Sequence, residues 1–339
     1  MNPSTSLNPQ QREAVETTRG PMLILAGAGS GKTRVIVHRI AHLIREQVPP
    51  SRIIAVTFTN KAANEMKERL SQMLGESGKG VHLSTFHSLG VRILRETIDL
   101  LGYHKNFVIY DSQDQLALIR NLMDEEGITE SPLIDPKSAQ QMIHHAKTRG
   151  TSPEELLVPN ALPRTRLAGQ LYRQYQDTLK GCNALDFEDI LNFCLKLFES
   201  HAEKMQEIRD RFRYVMVDEY QDTNSVQYRL LKHLVRDHRN LCVVGDDDQS
   251  IYGWRGAEPG NLFQFEKDFP DVKVVRLEQN YRSTEVILKA ANALIENNSQ
   301  RMPKTLWSEK PGGELLGWIE AEDEVLETET VVRRIRLEI

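Results

Sequence analysis

The sequence is poor in cysteine, has no long apolar run and carries no surplus of positive charge. Its three cysteines, Cys182, Cys194 and Cys242, form no CxxC pair. That leaves no basis for a disulfide framework or a structural zinc site, and reduced, mostly buried thiols are the expectation. No stretch approaches the roughly 20 apolar residues that span a bilayer. The opening MNPSTSLNPQQREAV has neither the basic start nor the apolar core of a signal peptide. Both absences point to the cytoplasm and away from a membrane. The net charge of −5 excludes a surface coated in basic charge. It does not exclude a local groove that binds by stacking, which needs less positive charge.

What is present is ordinary for a globular chain: 339 residues, 40% hydrophobic and 27% charged, enough for two or three domains. There is no internal repeat and no low-complexity segment. PMLILA (21–26) reads as a buried strand, and 33–46 as a helix with Val37, Ile40, Leu43 and Ile44 on one face. A second strand (53–58) and helix (61–74) follow, the pattern of a parallel α/β sheet. From about 85 to 200 the strand signals largely vanish, and amphipathic helical stretches separated by prolines take over. Strands return at 214–218, 240–245 and 272–277. The first and third blocks therefore read as one sheet interrupted by an all-helical insertion. After Leu277 a helix (285–297), a Pro-Gly-Gly break, a strand LLGWIEA and a last helix are expected.

Ala26-Gly27-Ala28-Gly29-Ser30-Gly31-Lys32-Thr33 lies between the first strand and the first helix, the setting of a phosphate-binding loop. Lys32 is placed to reach the β and γ phosphates, and Thr33 to ligate Mg²⁺. Ala26 stands where the strict pattern has glycine. VMVDEYQD supplies the carboxylates such a loop requires at a neighbouring strand end: Asp218 for the metal, Glu219 to polarise an attacking water. A solvated acidic turn is the competing reading. In VGDDDQSIYGWRGA (244–257) three aspartates precede aromatics that have nowhere obvious to bury. An acid patch, a metal site and a nucleic-acid contact all suit this stretch alone.

LNPQQREAV, AGAGSGKT, TFTNKAANEMKER, STFHSLG, LDFEDIL, VDEYQDTN, VGDDDQSIYGWRGA and LEQNYRS occur here in the order found in superfamily 1 DNA helicases. Over nearly the whole chain the sequence resembles the Rep/UvrD/PcrA group, nearest to Rep. The resemblance implies a RecA-like P-loop NTPase fold and an ATP-dependent 3′-to-5′ helicase that uses ATP and Mg²⁺. Its partners would be single-stranded DNA and duplex with a 3′ tail, with replication or repair proteins beside them. Gln11 resembles the reader of the adenine edge, and Arg34 a further nucleotide contact. Gln249 resembles the γ-phosphate sensor, Tyr281 the residue stacking on adenine, and Arg282 an arginine finger. Phe58, Asn60, Thr85, His87, Tyr252 and Trp254 resemble the groups that stack on bases or hold the strand. Core packing competes for Phe58, and a structural hydrogen bond for His87.

Asp246 to Asp248 are expected near Mg²⁺ without binding it directly, and Arg255 either on a DNA phosphate or paired with the acidic cluster or Glu219. Asp186, Glu188 and Asp189 are expected to be solvated or structurally hydrogen-bonded, and His144-His145 to be surface. The expected units are 1–84 with 201–276 as the first motor domain, 85–200 as the insertion, and 277–339 as the incomplete start of a second. On that reading the chain alone binds nucleotide, hydrolyses it weakly and does not unwind. It would be a monomer or self-associate weakly through the last helix (Val325, Val331, Val332, Ile335). Two alternatives stand beside this: a helicase subunit of a helicase–nuclease, and an ATP-regulated strand-binding module without motor activity.

Overall fold

The computed structural model describes residues 7–128 and 131–338, apart from the side chain of Arg255. Among the described residues eight strands form: β1 (Met22–Ala26), β2 (Ile53–Thr57), β3 (His82–Thr85), β4 (Val108–Ile109), β5 (Ala184–Leu185), β6 (Tyr214–Val217), β7 (Leu241–Gly245) and β8 (Lys273–Leu277). Six of them make one sheet in the order β3-β2-β6-β7-β1-β8, and every pairing in it is parallel. The apolar runs MLILA, IIAVT and LCVVG are buried at every position. Helices on both faces of the sheet require this, so these strands read as continuous apolar runs without alternation. The flanking helices include Lys32–Arg45 and Asn60–Leu74, close to the expected spans.

The differences from expectation lie where pattern is weak. β3 is a short edge strand, alternately half-buried and buried, where no strand is expected. β4 and β5 are a two-residue parallel pair within the helical insertion. LLGWIEA forms no strand; Leu315 is 90% and Trp318 88% exposed. An apolar stretch becomes a strand only with a ladder partner, and among the described residues none lies alongside. The last helix, Glu324–Glu338, does expose Val325, Val331, Val332 and Ile335.

The helix Phe187–Ser200 packs on Phe86–Thr97 and on Ser225–Val235, and so joins the 85–200 stretch to the residues after it. Gly90 allows the approach: a Cβ there would stand 2.6 Å from Ile190 Cγ2. On its other side the same helix is pinned by Lys147, from the helix Pro136–Thr148. Lys147 Nζ is fully buried, 2.5 Å from Asp186 Oδ2 and 2.8 Å from Asp189 Oδ1. Tyr175 donates to Asp186 at 3.0 Å, and Gln176 to Asp189 at 3.1 Å. Asp186 also caps its helix by accepting from Asp189 N. The LDFEDIL carboxylates thus serve structural hydrogen bonding. Burial pushes Asp189 up to about 6 despite Lys147.

Lys147→Met leaves two buried carboxylates without a cation, a loss of about 3–5 kcal/mol. A carboxyl whose folded pKa exceeds its unfolded value of about 3.9 loses stability as pH rises between the two. The thermal midpoint of the variant should therefore fall well below wild type at neutral pH, and the gap should narrow toward pH 5. A gap that is constant with pH would show that Lys147 acts by packing alone.

Candidate nucleotide and strand-binding edge

In a parallel sheet every strand points the same way, and the loops after the carboxyl ends share one edge. Ala26, Thr57, Thr85, Val217, Gly245 and Leu277 are those ends here. The motif residues follow them directly. Sheet order sorts them into two halves: β8, β1, β7 and β6 carry the nucleotide-type motifs, and β2 and β3 carry Phe58, Asn60, Thr85 and His87.

Ala26 is the last, fully buried residue of β1, paired in register with Leu277, and needs no glycine. The loop then turns at Gly29 (φ 69°) and Gly31 (φ 87°), conformations that favour glycine. Its carbonyls are engaged: Gly27 O by Ser30 Oγ at 2.7 Å, Ala28 O by Asn280 Nδ2 at 2.6 Å, Gly29 O by Tyr281 N at 2.9 Å, Ser30 O by Gln11 Nε2 at 2.9 Å. Gly31 is the N-cap of the following helix and, as glycine, gives the N–H groups of its first turn no side-chain cap. The N–H groups of that turn have no acceptor within the helix, which makes it an anion site.

Lys32 Nζ lies 3.0 Å from Glu219 Oε2, an ion pair without the alignment of a hydrogen bond. Thr33 donates to Asp218 Oδ2 at 3.2 Å. Burial, then the neighbouring Glu219, pushes Asp218 up to about 6. Glu219 sits at φ 52°, a strained backbone for a side-chain-bearing residue, of order 1–3 kcal/mol. Gln221 donates to the same Glu219 oxygen at 2.9 Å and accepts from Asp246 N at 3.0 Å. A hydroxyl beside an under-compensated buried carboxylate is a hard-oxygen pair of the kind Mg²⁺ takes, so Thr33 and Asp218 fit that ion.

Gln11 is fully buried, its amide shared between Ser30 O and Asn8 N. One N–H and one lone pair remain uncommitted. Arg34 packs beside Gly31 on the first helical turn. The segment after β8 folds over the loop. Asn280 accepts from Arg282 N and Ser283 N at 2.8 and 2.7 Å while holding Ala28 O. A Cβ at Gly29 would strike Asn280 and Arg282, and one at Gly27 would strike Leu306. Tyr281 is half exposed, its hydroxyl donating to Gln279 at 2.9 Å and accepting from Asn8.

The three aspartates have partners that the sequence does not announce. Their oxygens converge on Lys304 Nζ, at 2.8 Å for Asp246, 2.6 Å for Asp247 and 2.6 Å for Asp248. Arg301 grips Asp248 with two bonds, 3.1 and 2.7 Å. An ammonium and a guanidinium therefore offset two of the three negative charges. Gln249 donates to Asp246. Nothing in the sequence near Lys304 announces this, because its partners lie more than 50 positions away.

On the other half of the edge a cavity of about 640 Å³ opens between the sheet and the insertion. Phe58, Asn60, Thr85, His87 and Trp254 line it together. Tyr252 stands behind, stacked on Phe58 with centroids 5.1 Å apart. Trp254 is 74% exposed. Thr85 also caps the helix Phe86–Thr97, accepting from Ser88 N. Burial lowers the His87 pKa to about 4, so the ring is neutral near pH 7. His87 stacks on Phe187 with centroids 3.7 Å apart, a lining aromatic that nothing in its sequence setting singles out. His144, expected on the surface, is exposed but lines this cavity and pairs with Glu188 at 3.0 Å, a bond that raises its pKa. Arg255 lies outside the residues whose side chains are described.

The description "UvrD/REP helicase N-terminal domain" matches residues 7–270, and "UvrD-like helicase C-terminal domain" matches 275–338. "ATP-dependent DNA helicase PcrA" of Bacillus subtilis (strain 168) is 47% identical over 332 residues, 98% of this chain and 45% of the relative. Its namesake in Staphylococcus aureus (strain Mu50 / ATCC 700699) is 46% identical over 330 residues, again 45% of the relative. The chain thus spans about half the length of the curated relatives it matches. The expected nearness to Rep becomes a likeness to PcrA, a small correction within one group. No helix among the described residues is long and apolar enough to cross a membrane. By the match over 7–270, together with the phosphate loop and its acidic neighbours, the chain belongs to the UvrD/REP helicase family.

Proposed function

We propose that the chain supplies the ATP-hydrolysing and strand-gripping parts of a DNA helicase that moves 3′ to 5′ in the cytoplasm. The observation that carries this is the shared edge: one sheet presents a phosphate loop after β1 and an aromatic cavity after β2 and β3, at the same carboxyl ends. The PcrA relatives, named as ATP-dependent DNA helicases, support the same reading. The direction of movement comes with the resemblance alone. So do the 3′-tailed duplex, the replication or repair partners, and the assignment of 1–84 with 201–276 and of 277–339 to two motor domains around the insertion 85–200.

In this reading the loop 27–31 and the first turn of the following helix hold the phosphates. Lys32 leaves Glu219 for a phosphate oxygen, which frees Glu219 to take a proton from the attacking water. Mg²⁺, held by Thr33 and Asp218, would neutralise phosphate charge. Gln11 offers its remaining N–H and lone pair to the adenine edge, a match to N7 and N6. Tyr281 stacks on the base, Arg34 adds a nucleotide contact, Gln249 senses the γ-phosphate, and Arg282 brings positive charge to it. The strand lies across Phe58, His87 and Trp254, with Asn60 and Thr85 toward its backbone and Tyr252 bracing Phe58. Neutral rings suit a strand of any sequence.

Trp254→Ala should weaken binding of an oligo-dT and an oligo-dA alike, by about 1–3 kcal/mol. Fluorescence anisotropy reads this; unchanged affinity would remove Trp254 from the strand path. A second expectation concerns pH. Asp218 and Asp222 are each raised to about 6, foremost by burial. A raised carboxyl stabilises the fold when protonated, and that contribution is lost as pH rises from its unfolded value, about 3.9, to about 6. Above that window a cation relieves the buried charge; below it a proton competes. Mg²⁺ with an ATP analogue should therefore raise the melting midpoint more at about pH 7.5 than at about pH 5.5. An equal or larger rise at the lower pH would contradict the assignment.

A further inference from the structure

The aspartate cluster links parts of the edge that sequence order keeps apart. Asp246 accepts from Gln249 on a carboxylate oxygen and donates its backbone N–H to Gln221 Oε1. Gln221 in turn holds Glu219. Five residues beyond Gln249 is Trp254, and Tyr252 between them is stacked on Phe58. So one loop joins the nucleotide-side carboxylate to the strand-side rings.

The other partner is the strip 301–307. Met302 N donates to Asp247 Oδ2 at 2.6 Å, next to the Arg301 and Lys304 bonds. Leu306 covers Gly27. Trp307 O accepts from Asn280 N at 2.7 Å, and Trp307 N donates to Glu278 O at 3.0 Å. That pairing holds the turn carrying Tyr281 and Arg282. Lys304 is the hub: its side chain is 3% exposed, and it touches all three aspartates. Burial opposes its charge, yet the three carboxylates hold its pKa above the ordinary value. Three carboxylates against Lys304 and Arg301 leave one net negative charge.

We propose that Lys304 is a positioning residue that couples the two ligand sites, tying the strip behind Tyr281 and Arg282 to the loop that runs from Gln249 to Trp254. The inference rests on the helicase reading above. When nucleotide contacts draw Arg282 and Tyr281, Lys304 carries the shift to the aspartate loop, and the loop carries it to the rings. Lys304 itself touches neither ligand.

The test measures oligo-dT affinity of the chain with and without Mg²⁺ and a non-hydrolysable ATP analogue. The ratio of the two dissociation constants is the coupling, about fivefold or more for an allosteric pair. Lys304→Met should bring it below about twofold, and Lys304→Arg should largely keep it. Lys304→Met leaves three aspartates against Arg301 alone and risks local unfolding. The double variant Lys304→Met, Asp247→Asn restores one net negative charge without the tether, and a melting curve confirms its fold. It too should lose the coupling. Wild-type coupling in the folded double variant overturns the proposal and leaves the helicase reading intact. Wild-type protein without coupling removes the helicase reading, and this inference with it.

Discussion

Everything in this molecule depends on the direction of its strands. Six parallel strands put six chain reversals on one edge, so residues from Gln11 to Arg282 converge without any element being long. The order β3-β2-β6-β7-β1-β8 then grades that edge, from aromatic loops at β2 and β3 to phosphate-type loops at β1 and β8. The loop after β7 lies between them. A sheet with alternating strands would split the same motifs between two edges some five residues apart, about 17 Å. Proximity of the two sites follows from topology, before any side chain is considered.

A second regularity concerns buried acid. Among the described residues buried carboxylates gather at three places, two closed on a lysine and one, with Asp218 and Asp222, left open. Asp186 and Asp189 enclose Lys147, with tyrosine and glutamine completing their bonds. Asp246 to Asp248 enclose Lys304 and hold Arg301. Both are closed structural clusters. Beside the phosphate loop, Asp218 has only a threonine hydroxyl and a backbone N–H, while Lys32 pairs with Glu219 instead. Its raised pKa records that shortage. The place where the protein leaves acid under-compensated is the place where a cation and a polyphosphate would be welcome, and the strained φ of Glu219 falls there too.

Much of this was legible in the sequence because it is local. Buried strands announce themselves as short apolar runs, glycines with positive φ announce the loop, and the carboxylates follow a strand directly. β3 was not legible, since four residues at a sheet edge carry half a pattern. LLGWIEA misled for the opposite reason: it has strand composition but nothing to pair with. Phe187 was not legible as a binding group, and only the fold sets it against His87. The aspartate triad read as metal-related because its neutralising partners, Lys304 and Arg301, come from more than 50 residues away. Charge pairing at that range has no periodicity to betray it. Aromatic residues after strand ends were legible as binding groups only through the resemblance; their convergence on one cavity is a fact of the structure.

The central claim is that strand and nucleotide are bound on one edge and sense one another. ATP turnover by the chain, titrated with oligo-dT, tests it most directly. The account predicts a rate that climbs with oligonucleotide and is abolished in Lys32→Ala. Nucleotide binding with a turnover indifferent to DNA would contradict it and leave a strand-binding module in place of a motor.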